Sequence, residues 1–301
     1  MPEARSVLIV GGGTMGRGIA GVCAVAGFQT AVFEADPGAR ERVRPALEGS
    51  WQRAVASGKL DAARASSAGA RLSLVGTLEE ASGASVVIEA VPESLELKEK
   101  IFRELDRILP GATFLGSNTS SLSIDAIAGS TSSPERVVGV HFFNPVAAMP
   151  LVEIVHGPRT SAETLAAAEA FAGALGKKTV RVRDVPGFAT SRLGLALGLE
   201  AMRMVEEGVA TAEDIDRAME LGYGHRMGPL KTSDLVGLDV RLSIAETLSA
   251  ALDPVRFAPP RILRDLVARG HVGRKSGSGF YRWEGDEARP AAAGAGDKES
   301  P

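Results

Sequence analysis

The sequence predicts an α/β protein with two domains, and two observations support this prediction. Over residues 1–184, short runs rich in Val and Ile alternate with longer segments of helical periodicity, which is typical of crossover units that build a parallel sheet. After Pro186 the pattern becomes almost wholly helical, with Gly or Pro at the joints. We therefore expect a sheet-containing domain over residues 1–184 and an all-α domain over residues 185–286.

The individual elements follow from the same periodicities. The predicted strands are residues 6–10, 30–34, 72–75, 86–90, 113–117, 137–141 and 179–182. The predicted helices of the second domain are residues 188–207, 212–219, 233–252 and 261–269. Residues 287–301 are rich in Ala, Gly and charge and have no apolar period, so we expect a disordered tail there.

Composition limits the classes of function. The 301 residues are 45% hydrophobic and carry a net charge of -3, which argues against nucleic acid or an anionic membrane as the main partner. The single cysteine, Cys23, can form no intramolecular disulfide and supplies no metal cluster. No apolar stretch is long enough for a signal sequence or a membrane span. We expect a cytoplasmic protein that binds a small molecule and holds no metal.

The first predicted strand leads into a glycine-rich turn. Gly11, Gly13 and Gly16 have the G-x-G-x-x-G spacing, in which the glycines permit a tight turn, close approach of a pyrophosphate and close packing of the next helix. That helix begins near Thr14 and Met15, so its N-terminus faces the phosphates. Because the turn follows a strand and opens a helix, we predict a Rossmann-type dinucleotide-binding domain in which these five residues contact the cofactor.

An acidic residue ends the second predicted strand. Glu34 follows the glycine turn by about twenty residues, the distance at which a carboxylate binds the ribose 2′-hydroxyl of NAD. A carboxylate there also repels the 2′-phosphate of NADP, so we predict NAD as the cofactor. Asp36 is a competitor for the role, and either acid would otherwise be an ordinary solvated charge.

His141 and Glu153 suggest a catalytic pair. A dehydrogenase needs a general base that takes the proton of a substrate hydroxyl while a nicotinamide takes the hydride, and histidine titrates near neutral pH. A carboxylate on the second ring nitrogen fixes the tautomer and stabilises the imidazolium. In the alternative interpretation, the backbone satisfies His141 at a strand end and Glu153 is a strand-surface charge. The dinucleotide-binding start favours a hydride-transferring dehydrogenase.

Six motifs occur in one order along the chain. They are the glycine turn, IEAVPE at residues 88–93, SNTSSL at 117–122, HFFNP at 141–145, VPGF at 185–188 and MGPL at 227–230, and GRKSGSGFY follows at 273–281. In order and spacing they resemble the motifs of the L-3-hydroxyacyl-CoA dehydrogenase family, most closely its short bacterial 3-hydroxybutyryl-CoA dehydrogenases. The resemblance extends over residues 5–284, so it implies the same fold and activity for the whole chain.

The resemblance implies catalytic roles for four side chains. It makes His141 the general acid/base and Glu153 the carboxylate that pairs with it. It makes Ser120 the serine that bonds the substrate oxygen. Asn144 resembles the family's site asparagine, which would bond the reacting oxygen or order the loop.

The resemblance also implies contacts with the cofactor and with CoA. Glu93 and Lys98 match a family pair that contacts the cofactor near the nicotinamide. Relatives bind CoA largely through a helical hairpin, which here corresponds to residues 40–65, and Ser50 matches a family contact position on it. Further candidate phosphate or adenine contacts on the hairpin are Arg42, Arg44, Arg53 and Lys59.

The second domain departs from the family pattern at two positions. Ser191 stands where relatives have an asparagine that contacts the nicotinamide and substrate region, and its shorter side chain could still bond through a water. Arg226 stands where many relatives have proline, and it is either an anion contact or a solvated charge. Relatives dimerise through this helical domain, so we expect a homodimer.

Three functions stay open. The favoured one is NAD-dependent oxidation of a 3-hydroxyacyl-CoA with a short chain, such as 3-hydroxybutyryl-CoA, or the reverse reaction. A second is a dehydrogenase for an acyl-carrier-protein thioester or another hydroxy acid in specialised metabolism. A third is a catalytically idle NAD-binding structural or sensor protein. The sequence does not specify the chain length of the substrate or the direction of the reaction.

Overall fold

The chain forms two compact units. The computed structural model describes residues 6–290, and the remaining terminal residues lie outside the described part. The first unit ends at Phe188 and the second begins at Ala189. This boundary lies slightly beyond the predicted one because Phe188 is buried in the core of the first unit, in one apolar cluster with Leu115 and Ile124.

The first unit contains a sheet whose eight strands have the order β3-β2-β1-β4-β5-β6-β7-β8. Its strands are β1 (Ser6–Val10), β2 (Gln29–Phe33), β3 (Leu72–Val75), β4 (Val86–Glu89), β5 (Phe114–Ser117), β6 (Val137–Phe142), β7 (Leu151–His156) and β8 (Lys178–Arg183). All neighbours pair in parallel except β6 and β7, which are antiparallel. The predicted α/β architecture is therefore confirmed, but the sheet is mixed.

The sequence prediction omits strand β7. Its middle residues are buried, yet the apolar run is interrupted by the charge of Glu153 and preceded by Pro150. A buried strand is normally recognised by a continuous apolar run, so this segment lacks the usual signature. The segment is nevertheless an interior strand, because β7 pairs with β6 on one side and with β8 on the other.

Six helices cover the sheet of the first unit. They are α1 (Thr14–Val25), α2 (Pro37–Ala56), α3 (Ala62–Arg71), α4 (Leu95–Ile108), α5 (Ile124–Ala128) and α6 (Ala162–Ala174). The predicted hairpin over residues 40–65 is the α2–α3 pair, which begins earlier and ends later than predicted. Asp36 caps α2 just before Pro37, and Asp61 caps α3, which then continues to Arg71.

Alternate residues of the central strands separate the core of this unit into two layers. Leu8 of β1 joins a cluster with Phe102 and Leu115 on one face of the sheet. Its neighbour Ile9 joins a second cluster with Phe114 on the other face. Successive strand side chains point to opposite faces, so the run of residues 7–10 is apolar throughout because both faces are covered.

The second unit is mainly helical but carries a short sheet. Its helices are α7 (Thr190–Glu206), α8 (Ala212–Gly222), α9 (Pro229–Val236), α10 (Leu238–Ala251) and α11 (Arg261–Ala268), and its hairpin strands are β9 (Tyr281–Glu284) and β10 (Glu287–Pro290). The predicted helix over 233–252 is divided at Gly237, whose φ of 106° a helix does not permit. No helix within residues 6–290 has the length and apolar content needed to cross a membrane.

The hairpin corrects two expectations for the C-terminal end. The second unit is not all-α, because β10 pairs with β9 in an antiparallel ladder. Residues 287–290 were expected in a disordered tail, but Ala288 packs against the helical core and Arg289 lies 3.1 Å from the Glu284 carboxylate. The rest of that predicted tail, residues 291–301, lies outside the described residues.

Asp234 joins the hairpin to the helices of the second unit. It is 1% exposed. Its carboxylate accepts hydrogen bonds from the backbone N–H groups of Phe280 at 3.0 Å and Tyr281 at 2.9 Å, and from Nε1 of Trp283 at 2.9 Å. Burial raises the pKa of Asp234, although the accepted hydrogen bonds oppose the change. Asp234 of α9 therefore links three hydrogen-bond donors of the 280–283 segment to the helices.

We expect Asp234→Ala to lower the free energy of unfolding by about 3 kcal/mol or more, since several buried donors lose their acceptor. Urea denaturation followed by circular dichroism measures the change. The control is Asp286→Ala, because Asp286 is 91% exposed and its ion pair with Arg274 lies on the surface. That change should stay within about 0.5 kcal/mol. Equal losses in both variants would contradict the role assigned to Asp234.

Candidate active site

Strands β6 and β7 bring His141 and Glu153 together. In the antiparallel register His141 is directly opposite Glu153, and the ring Nδ1 lies 2.8 Å from the carboxylate Oε2. Glu153 is fully buried and His141 is 7% exposed. An ionised Glu153 carboxylate would accept a hydrogen bond from Nδ1–H, and this tautomer would leave the lone pair of the His141 ring on Nε2. The two side chains therefore form a buried pair in direct contact.

Aromatic rings hold the His141 imidazole in place. The ring of Phe143 lies 4.6 Å from it, centroid to centroid, and the ring of Phe188 lies 5.9 Å from it. With Nδ1 bonded to Glu153 and two phenyl rings beside it, the imidazole has little rotational freedom. This lowers the entropy that would be lost when a substrate is aligned with Nε2.

The loop after β5 is fastened to Glu93. Oε1 of Glu93 accepts hydrogen bonds from Thr119 Oγ1 at 2.6 Å, from Ser121 Oγ at 3.1 Å and from the Ser120 N–H at 3.1 Å. Burial raises the pKa of the Glu93 carboxyl, but these hydrogen bonds and the ammonium of Lys98 outweigh it and hold the pKa below its usual value. The structure thus brings Ser120, Glu93 and Lys98 into one cluster.

Lys98 is buried rather than exposed on the helix surface. Its Nζ lies 2.6 Å from Oε1 of Glu89 and 3.4 Å from Oε2 of Glu93. Glu89, the last residue of β4, is fully buried and was not selected by sequence reasoning. Its signals in the sequence are its place in the IEAVPE motif and its charge inside the otherwise apolar run of residues 86–90.

The glycine turn has the shape of a phosphate cradle. A Cβ on Gly11 would lie 2.7 Å from the Ala90 carbonyl oxygen, and one on Gly16 would lie 1.8 Å from the Gly11 carbonyl oxygen, so both must be glycine. In contrast, a Cβ on Gly13 would meet no atom within 4 Å. Helix α1 begins at Thr14 and Met15 without a side-chain cap, which leaves its first N–H groups open to an anion. These residues fit the pyrophosphate of a dinucleotide.

Glu34 and Asp36 take different roles at the end of β2. Oε2 of Glu34 accepts a hydrogen bond from the Gly12 N–H at 2.8 Å, which places the carboxylate beside the glycine turn. Asp36 instead caps α2 through the Ala39 N–H. Of the two acids that the sequence offered for the ribose, Glu34 lies beside the glycine turn, whereas Asp36 is used as a helix cap. The structure therefore favours Glu34 as the candidate for ribose binding.

Asn144 and Ser50 line one groove of the first unit, with a volume of about 880 Å³. Other polar residues that line it are Thr14, Arg17, Lys59, Arg64 and Lys177. Lys177 holds the loop that follows Asn144, donating to the carbonyl oxygens of Val146 at 2.6 Å and Met149 at 2.7 Å. The groove has a basic lining suited to an anionic ligand.

The structure changes the set of hairpin residues that face this groove. Arg44 was a candidate anion contact, but its guanidinium donates to the carbonyl oxygens of Gly69 and Leu72 and so ties α2 to α3. Arg42 and Arg53 are exposed and do not line the groove, whereas Lys59 does. Arg64 lines the groove and was missed, because its position depends on how α3 folds back on α2.

Two family models cover the chain. The model for the NAD binding domain of 3-hydroxyacyl-CoA dehydrogenase matches residues 6–185, and the model for the C-terminal domain of 3-hydroxyacyl-CoA dehydrogenase matches residues 187–283. The chain belongs to the 3-hydroxyacyl-CoA dehydrogenase family. It is an oxidoreductase with NAD as its cofactor.

The dehydrogenase is similar to bacterial proteins along almost its whole length. It is 44% identical over 282 residues to the probable 3-hydroxybutyryl-CoA dehydrogenase of Bacillus subtilis, with 94% of this chain and 98% of that protein covered. It is 43% identical over 282 residues to a 3-hydroxybutyryl-CoA dehydrogenase of Mycobacterium tuberculosis, with 93% and 98% covered. The solved structure of (S)-3-hydroxybutyryl-CoA dehydrogenase from Ralstonia eutropha matches with a TM-score of 0.90 at 38% identity, covering 94% of this chain and 100% of that chain.

Two candidate residues of the dehydrogenase belong to the second unit. Ser191 lies in the first turn of α7 and is partly buried. Arg226 lies in the loop between α8 and α9 and is exposed. Their roles toward cofactor and substrate stay predictions from the resemblance.

The glycine turn yields a matched pair of variants. Gly13→Ala adds a methyl group to open space at a φ of -68°, so the dehydrogenase should still fold, with at most the small loss of stability, about 1 kcal/mol, that alanine causes at a helix N-cap. The same methyl group would occupy the phosphate position and weaken NADH binding about tenfold or more, as fluorescence titration would show. Gly16→Ala should fail to fold, because its Cβ overlaps backbone. NADH binding by Gly13→Ala at the wild-type level would contradict the assignment of the cradle.

The lowered pKa of Glu93 predicts a pH dependence of stability. Below its ordinary value of 4.5 the folded protein keeps Glu93 ionised while the unfolded chain protonates it. The stabilisation is therefore fully present above about pH 4.5 and is lost as the pH falls through the folded-state pKa. We expect the difference in unfolding free energy between wild type and Glu93→Gln to be constant at neutral pH and to shrink in acid. Urea titrations at several pH values test this, and a difference that grows in acid would contradict it.

Proposed function

We propose that this dehydrogenase oxidises a short-chain 3-hydroxyacyl-CoA, such as 3-hydroxybutyryl-CoA, to the 3-oxoacyl-CoA and catalyses the reverse reaction, with His141 as general acid/base. The observation that carries the proposal is the 2.8 Å contact between His141 and Glu153. The relatives named 3-hydroxybutyryl-CoA dehydrogenase support the choice of substrate.

His141 and Glu153 perform the proton transfer in this proposal. In the oxidation direction, Nε2 of His141 accepts the proton of the 3-hydroxyl group, and Glu153 stabilises the imidazolium that forms. In reduction the imidazolium returns the proton to the carbonyl oxygen. Positioned acid/base catalysis of this kind contributes about 10²- to 10⁴-fold. Ser120 and Asn144 would hydrogen-bond the substrate oxygen and keep it at Nε2.

The residues that would hold NAD lie at the ends of strands β1, β2 and β4. The glycine turn, with Thr14 and Met15, would bind the pyrophosphate, and Glu34 would accept a hydrogen bond from a ribose hydroxyl. Glu93 and Lys98 would lie at the nicotinamide end. When bound, NAD supplies the hydride acceptor. The carboxylate of Glu34 would repel a 2′-phosphate, so we propose that NAD is used in preference to NADP.

The basic groove is the proposed site of the CoA moiety. Ser50 matches a family contact position, and Lys59 and Arg64 line the groove beside it. Their positive charges suit the phosphates of CoA. Asn144 lines the same groove. With CoA bound there, the acyl end of the thioester would lie toward Asn144, which we propose to bond the substrate oxygen.

Assembly and location complete the proposal. Several large apolar side chains of the second unit are exposed, including Leu193 at 71%, Leu235 at 41%, Val236 at 43% and Val240 at 40%. An apolar surface of this kind suits the interface of a homodimer. The single cysteine, which is buried and unpaired, suits the reducing environment of the cytoplasm.

Reduction of acetoacetyl-CoA, followed by NADH absorbance, tests the function. We expect turnover with NADH, much less with NADPH, and a loss of about 10²- to 10⁴-fold in kcat for His141→Gln. NADH binding should persist in that variant. His156→Gln is the matched control, since His156 ends β7 outside the proposed site, and it should retain activity.

Other outcomes would contradict the proposed substrate or the role of His141. Tight NADH binding without acetoacetyl-CoA turnover would reject the CoA substrate and favour an acyl-carrier-protein thioester or another hydroxy acid, and absence of turnover with all of these would favour an idle NAD-binding protein. Full activity in His141→Gln would reject the acid/base role.

A further inference from the structure

Glu89 is a buried acid that the proposed reaction does not use. It ends β4, in register with Ser117 of β5, and its side chain is fully buried. Oε2 accepts a hydrogen bond from Ser117 Oγ at 2.7 Å. Oε1 accepts from Lys98 Nζ at 2.6 Å and from the Val91 N–H at 2.7 Å. Both carboxylate oxygens are therefore satisfied, which fixes the orientation of the group.

Lys98 connects Glu89 to a second carboxylate that is closer to solvent. The Lys98 side chain is 1% exposed and that of Glu93 is 39% exposed. Nζ of Lys98 lies 3.4 Å from Oε2 of Glu93 while it is held by Glu89. The Lys98 ammonium is buried, whereas Glu93 is partly exposed. Lys98 can therefore influence the exposed part of the site through its contact with the Glu93 carboxylate.

Glu93 extends this arrangement to the loop that carries Ser120. With Oε2 directed to Lys98, its other oxygen accepts hydrogen bonds from Thr119 and Ser121 and from the Ser120 N–H. A rotation of the Glu93 carboxylate would disturb all of these contacts together. The position of Ser120 therefore depends on where the Lys98 ammonium is held.

Stability alone is a weak reason for this buried pair. Desolvation of two charges offsets much of their attraction, and apolar residues of similar volume often stabilise a core as well or better. An ion pair does provide a fixed direction for Lys98, which an apolar pair cannot. The cost of burying Glu89 is thus better explained by a positioning role.

We propose that Glu89 is a positioning residue: it anchors the Lys98 ammonium and, through Lys98, orients the Glu93 carboxylate and the Ser120 loop at the nicotinamide end of the site. This inference rests on the proposed roles of Glu93 and Ser120. It assigns a function to a residue that touches neither cofactor nor substrate. Without the Glu89 charge, Lys98 shifts toward Glu93 and the loop contacts of Glu93 are lost.

The test is NADH binding by Glu89→Gln, measured by fluorescence titration without acyl substrate. The substitution keeps the shape of the side chain and removes its charge, and we expect the dissociation constant to rise about tenfold. In the Lys98→Met background the same substitution should change the constant by less than about twofold, because the two residues act as one unit.

Asp106→Asn is the matched control. Asp106 lies on the same helix as Lys98, is buried, and forms an ion pair with Arg136 at 2.6 Å. We expect this variant to lose thermal stability while NADH binding stays at the wild-type level. It therefore separates the cost of breaking a buried pair from an effect on the cofactor site.

Reduced thermal stability of Glu89→Gln with unchanged NADH binding would overturn the proposal. It would also be overturned if the losses of NADH affinity caused by Glu89→Gln and Lys98→Met multiplied in the variant that carries both. If Glu89→Gln does not fold, Glu89→Asp takes its place, since it keeps the charge and withdraws the carboxylate from Lys98; unchanged NADH binding in that variant would also overturn it. NADH binding is measured without acetoacetyl-CoA, so a failure here is distinguishable from a failure of the proposed reaction.

Discussion

The antiparallel pairing of β6 with β7 is the constraint on which the contact between His141 and Glu153 depends. Side chains of a strand alternate between its two faces, so a shift of this register by a single residue would move Glu153 to the face opposite His141. The ladder prevents such a shift, because β7 also pairs in parallel with β8 along all six of its residues. The twelve-residue separation of His141 and Glu153 in the sequence is set by the connection between the two strands. The backbone hydrogen bonds of the ladder place the two residues opposite each other, and their side chains then meet at 2.8 Å.

The rest of the site is collected by the parallel part of the sheet. Parallel strands end at one edge, and the ends of β1, β2, β4 and β5 carry the glycine turn, Glu34, Glu89 and the loop with Ser120. The strand order reverses between β1 and β4, which is where open α/β sheets bind their ligands. Each buried carboxylate near this edge has a side-chain partner: Glu89 pairs with the ammonium of Lys98, and Glu153 contacts the imidazole of His141. The site therefore combines rigid backbone geometry with a few fixed charges.

Local signals made part of this account predictable from the sequence. The glycine turn and Glu34 are recognisable from the sequence because they lie close together in one crossover unit. The periodicity of the first domain predicted most strand positions to within a residue or two. The His141–Glu153 pair was expected from motif resemblance, while its geometric cause was not, because the charge of Glu153 conceals β7 as a strand. Glu89 and Arg64 were missed since their roles arise from residues distant in the chain. Strands β9 and β10 were both missed, because two short strands are stabilised by pairing with each other and not by their own composition.

The central claim is that His141 and Glu153 act as one unit. The most direct test is acetoacetyl-CoA reduction by His141→Gln, Glu153→Gln and the double variant, each with confirmed NADH binding. Groups that act together give strongly non-additive losses. We expect each single variant to lose kcat by about 10²-fold or more and the double variant to be little worse than His141→Gln alone. Near wild-type turnover by Glu153→Gln, or losses that multiply in the double variant, would contradict the claim.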